Sequence, residues 1–135
     1  MVLLKVVILK ILKLWLPPAL WAGLIFYLSS TVPGSVSGPP WIDFIIKKSG
    51  HMLLYAVLWI LLYRATHRPY LSLLFAISYS LSDEYHQSFV PGRHPAVMDV
   101  GFDALGGTIA LWAQKSFLPK APKKLKKLAE NLEIL

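Results

Sequence analysis

Residues 82–107 read S-D-E-Y-H-Q-S-F-V-P-G-R-H-P-A-V-M-D-V-G-F-D-A-L-G-G and gather four of the seven carboxylates, two of the four histidines and one arginine. A histidine beside a carboxylate is equipped for general acid–base work, because the imidazole titrates near neutral pH. Arg93, with Lys47 and Lys48 upstream, is equipped to hold a phosphate or carboxylate, the arginine as a planar fork and the lysines as point charges. Histidines among carboxylates are also a donor set for a divalent metal. No H-x-x-x-H or H-E-x-x-H spacing occurs, so the expectation is a site without cofactor, with a divalent metal as the minor alternative. Cysteine is absent, which removes thiolate ligands, thiol nucleophiles and disulfides. Neither a phosphate-cradling glycine loop nor a G-x-S-x-G nucleophile turn is present.

Spacing predicts which of these groups share a face. Asp99 and Asp103 are four residues apart, and Gly106, Ala110 and Ala113 continue that helical face with small residues suited to close helix packing. Asp83, His86 and Gln87 share a second face, with Tyr79 one turn earlier. Lys47, His51 and Tyr55 form a third polar stripe at successive i+4 intervals. Three helices with polar faces at one level predict a single pocket. His51, Asp83, Glu84 and His86 are its candidate acid–base groups; Lys47, Tyr55, Gln87, Arg93, Asp99 and Asp103 are its candidate binding groups. Arg93 is expected to pair with a carboxylate or with an anionic ligand. Asp99, at a helix start where it can cap free N–H groups, is expected to matter more to fold and site than Asp103.

The elements that must position this island are apolar. The 135 residues are 56% hydrophobic and only 16% charged, against about 25% charged in soluble domains. So apolar a chain of this length reads as an integral membrane protein. Ionisable groups beside hydrocarbon cost roughly 2.5–3.5 kcal/mol each and are kept for a purpose. The sequence predicts an all-α bundle of four transmembrane helices. The first span covers residues 12–28 and is retained rather than cleaved, with Pro17 and Pro18 bending it or marking its start. A turn-rich loop follows over 29–40, then a second helix over 42–63 and the link R-A-T-H-R-P. A third span over 70–82 continues as helix to Gln87, F-V-P-G-R-H-P forms a loop, and a fourth span covers 96–118. Residues 1–118 therefore form the membrane domain and 119–135 a basic tail.

Basic residues set the expected orientation. Lys5, Lys10, Lys13, Arg64, Arg68 and the six lysines from Lys115 to Lys127 fall on one side of such a bundle; only Lys47, Lys48 and Arg93 fall on the other. The positive-inside rule then places the protein in the plasma membrane as a multi-pass protein with both termini cytoplasmic, and the polar island facing outward. The net charge of +7 is accordingly read as topology and contact with the anionic inner leaflet, with no nucleic-acid partner. The expected partners are membrane lipids or lipid-linked envelope molecules.

K-K-S-G-H-M-L-L-Y at 47–55, D-E-Y-H-Q-S-F-V-P-G-R at 83–93 and D-V-G-F-D-A-L-G-G at 99–107 resemble, in order, spacing and setting, the VanZ-like family of small bacterial membrane proteins. The resemblance covers roughly residues 15–112; the family commonly has asparagine where this chain has Asp103. It implies a cell-envelope role, and its namesake is associated with low-level resistance to the lipoglycopeptide teicoplanin. The leading functional expectation is an outward-facing site that recognises an anionic lipid headgroup or an amphiphile such as a lipoglycopeptide, contributing to teicoplanin-type resistance. The alternative is an intramembrane enzyme acting on a lipid or lipid-linked cell-wall precursor, with His51 or His86 as acid/base assisted by Asp83 or Glu84.

Overall fold

The computed structural model describes residues 2–32, 34 and 38–134, so Pro33 and residues 35–37 of the first loop lie outside the described residues. Within them the chain is all-helical: α1 (Val2–Ser29), α2 (Pro40–Thr66), α3 (Pro69–Gln87), α4 (Val97–Trp112) and α5 (Lys123–Asn131), with no strand among the described residues. After α4 the backbone widens into a π-type turn over Ala113–Phe117 and tightens into a 3-10 turn over Leu118–Lys120. The fourth helical stretch thus reaches as far as expected, but not as regular α-helix. By length and composition one helix among the described residues, Pro40–Thr66, is long and apolar enough to cross a membrane.

Local chemistry explains the boundaries. Pro40 and Pro69 open α2 and α3, where a missing N–H costs nothing and φ is already suited to a helix. α2 stops because His67 turns left-handed at φ 52° and sends its N–H back to the Tyr63 carbonyl at 2.7 Å. α1 begins well before the expected residue 12 and runs straight through Pro17 and Pro18, which forfeit two successive backbone bonds. Its end is closed by hydroxyls: Ser30 donates to the Phe26 carbonyl at 2.7 Å, and Thr31 donates to that of Leu28 at 2.9 Å.

α2 lies at the centre. Its Tyr55, Leu58 and Trp59 are the largest fully buried hydrophobic side chains and pack against Ile25, Ala76 and Ala110 of the other three long helices. The most extensive contact is between α2 and α4, made possible by Gly106. A Cβ at that position would collide with the Met52 backbone carbonyl, so α4 approaches α2 at backbone distance. Gly107 performs the same service beside Leu73 and Trp59. Among the bonds that fasten α1, Trp21 Nε1 donates to the Leu54 carbonyl at 2.9 Å and the Tyr79 hydroxyl to that of Ala22 at 2.5 Å. These contacts bring the C-terminal ends of α1 and α3 and the N-terminal ends of α2 and α4 together. Outward, Leu20, Leu53, Leu74 and Ile109 stand exposed on four different helices.

Candidate functional site

At that shared end the polar groups of four helices form two connected clusters. In the first, Asp83 of α3 accepts from Ser29 Oγ at 2.6 Å on one oxygen and from Gln87 Nε2 at 3.0 Å on the other. His86, one residue earlier than Gln87, turns to α1 instead. Its Nε2 lies 3.0 Å from Ser30 Oγ and its ring stacks on Phe26 with centroids 4.2 Å apart. In the second cluster, Asp103 of α4 accepts from Ser80 Oγ at 2.6 Å and faces His51 Nδ1 at 3.2 Å. One turn nearer the surface, Asp99 pairs with Lys48, while Lys47 pairs with Asp43 on its own helix at 2.7 Å. Tyr55, 1% exposed, lies between the clusters, and its hydroxyl finds no well-formed hydrogen-bond partner.

Glu84 is used structurally. One carboxylate oxygen accepts the Ala96 N–H at 2.9 Å, at the entrance of α4, and the other is buried without a partner. A carboxylate at a helix N-terminus is favoured by the helix dipole. The expected cap is therefore supplied by Glu84 from α3; Asp99 makes no capping bond. Of the two partners expected for Arg93, a carboxylate or an anionic ligand, it takes no carboxylate among the described residues. It donates from Nε to the Thr31 carbonyl at 2.9 Å and from Nη2 to that of Leu28 at 2.8 Å. A cation here meets the negative end of the α1 dipole and satisfies carbonyls that the helix leaves open. Burial draws the Arg93 pKa below its ordinary value, with Asp83, Glu84 and Asp99 acting the other way; the guanidinium remains charged.

An open cavity of about 490 Å³ lies over the second cluster, lined among others by Lys47, Lys48, His51, Gln87, Arg93 and Asp99. Its walls carry three cations and a single carboxylate, because Asp83, Glu84 and Asp103 are turned away beneath it. A second cavity of about 40 Å³ adjoins it, and His51 and Arg93 line both. Of the ten residues singled out from sequence, eight border these cavities or bond within the two clusters. Glu84 is committed to the entrance of α4, and His86 to Ser30 and Phe26. Sequence reasoning overlooked Ser29 and Ser80, which donate to Asp83 and Asp103, Ser30, which pairs with His86, and His94, which lines the larger cavity. Ser80 was visible in principle: it is three residues before Asp83 and shares its helical face. Ser29 and Ser30 looked like loop residues.

Among the described residues no group of three or more histidine, cysteine, aspartate or glutamate side chains is placed to hold a metal ion. The arrangement is an all-helical protein with a lysine- and arginine-lined pocket at one end of its helices. The VanZ/LLP1 family model matches residues 7–118, and the chain belongs to that family. No curated protein and no solved structure matches the chain.

Proposed function

We propose that this chain is a multi-pass protein of the plasma membrane, with four helical spans and both termini in the cytoplasm. Its outer pocket recognises the anionic group of a lipid or of an amphiphile such as a lipoglycopeptide. The observation that carries the reading is the charge of the pocket wall: Lys47, Lys48 and Arg93 against Asp99 alone. Arg93 is the strongest element, since its bonds to neutral carbonyls leave its charge uncompensated by an ion pair. Leu28, Ile46 and Leu54 stand in the same wall, so an anionic group and an attached apolar chain are accommodated together. The apolar side chains exposed on all four long helices support burial in hydrocarbon. The eleven-to-three distribution of basic residues supports the orientation. A contribution to teicoplanin-type resistance follows if the amphiphile is such an antibiotic.

Native mass spectrometry with added phosphatidylglycerol or phosphatidylcholine tests the recognition. Phosphatidylglycerol should bind preferentially, and Arg93→Gln should weaken it about tenfold, the value of roughly one charge-assisted hydrogen bond. Equal binding of the two lipids, unchanged by Arg93→Gln combined with Lys47→Gln, would remove the reading. Reporter fusions at each terminus and loop test the orientation, which an external C-terminus would reverse.

A further inference from the structure

We propose that the outer pocket hydrolyses an amphiphilic diphosphate, with His51 as the general base; this rests on the anionic-group reading above and adds a reaction to it. His51 is the one histidine that borders both cavities. Its Nδ1 faces Asp103, which is 2% exposed and whose other oxygen is held by Ser80. An ionised carboxylate can only accept, so the Nδ1 position carries the hydrogen, and in the neutral imidazole the lone pair is on Nε2. Nε2 has no hydrogen-bond partner among the described residues, which leaves it free to take a proton. The 40 Å³ cavity beside it is large enough for a water molecule, and Tyr55 and Asp83 line it. Base, water site and cationic wall thus converge.

The reaction follows from what each group can do. The oxygen of a water in the small cavity bonds to the terminal phosphorus, and the bridging phosphorus–oxygen bond breaks. The bonding electron pair leaves with the amphiphile's remaining phosphate, and the water's proton passes to His51 Nε2 and then to solvent through the open pocket. The products are an amphiphilic monophosphate and inorganic phosphate. Lys47, Lys48 and Arg93 hold the substrate's charge and stabilise the departing oxygen. An anhydride suits this wall better than an alkyl ester. A departing phosphate needs no proton, whereas an alkoxide requires an acid opposite the base. His86 is tied to Ser30 and Phe26, and His94 sits in an exposed loop.

Farnesyl diphosphate, offered to the detergent-purified protein in magnesium-containing buffer, is the probe; phosphate release and probe binding are measured separately. The natural chain should bind it and release phosphate. His51→Gln should lower kcat about 100-fold or more with KM little changed, the usual contribution of a general base. Asp103→Asn still offers Nδ1–H an acceptor but no longer a charge. As a positioning change it should lower kcat about tenfold at unchanged KM, a split that a merely structural defect does not give. Binding without phosphate release by the natural chain overturns the hydrolase and leaves the recognition reading standing. Phosphatidylglycerol binding with no farnesyl diphosphate binding does the same. Failure to bind either removes both, and release that persists in His51→Gln removes His51 from the chemistry.

Discussion

The pocket end of the helical bundle, the outer one in the orientation proposed above, and the opposite, inner end use charge in opposite ways. At the outer end Asp83 and Asp103 are 3% and 2% exposed, and each has both oxygens engaged by side chains of other residues. At the inner end charge stays on the surface: Glu133 meets Lys13 at 3.7 Å and Arg64 at 3.3 Å, with its side chain 41% exposed. Lys115 lies over the Tyr70 ring and donates to its hydroxyl at 3.1 Å, also exposed. Buried, hydrogen-bonded charges set a specific geometry and are costly to disturb, whereas exposed pairs are screened and contribute little. The outer end is therefore built to hold a shape, and the inner end to hold a position.

The comparison breaks most readily at Asp103. Asp103→Ala strands Ser80 and His51 in a buried site and should cost about 3 kcal/mol, measured by thermal melting in detergent. A loss under about 1 kcal/mol would show that the outer cluster is not a structural unit. Gly106→Ala comes next, at roughly 1–3 kcal/mol, because the obstacle is the Met52 backbone rather than a side chain that can turn away. Asp99→Asn should cost less, about 1 kcal/mol, since it weakens a partly exposed pair with Lys48 and removes no cap. This ordering reverses the expectation from sequence, which ranked Asp99 above Asp103; melting the variants side by side decides between them.

The smallest effect belongs to the inner end. Lys13 above all, with Arg64 adding to it, holds the Glu133 carboxyl below its usual pKa against an opposing desolvation. A depressed carboxyl contributes attachment above its ordinary pKa and loses it as pH falls through the lowered value. Residues 121–134 should accordingly become more sensitive to limited proteolysis on acidification or in Glu133→Gln, with little change in melting temperature. A large fall in melting temperature would mean that the inner end is as structural as the outer one.

Much of the architecture was legible because it follows from local rules. Apolar runs and the glycine–proline loop located the helices, and three- and four-residue spacings grouped the polar residues by face. The same rules were weakest where α1 absorbed two prolines and where α4 ran into a π-type turn, because neighbouring helices can compensate for lost backbone bonds. They were also silent on donors from distant segments, which is why Ser29 and Ser30 passed as loop residues.

By itself, then, the sequence determined the helical class, the grouping of functional side chains on three faces, the family, and the asymmetry of basic residues. Only the tertiary structure decided which partner each charged group meets. Asp99 takes Lys48 rather than Arg93, Arg93 takes the end of α1, Glu84 takes the entrance of α4, and His51 takes Asp103 rather than Asp83 or Glu84. The reason is geometric. Spacing along one helix fixes a side chain's angle about that helix alone. Its partner depends on the rotation and depth at which two helices meet, and here the contact of Gly106 with the Met52 backbone brings α4 against α2.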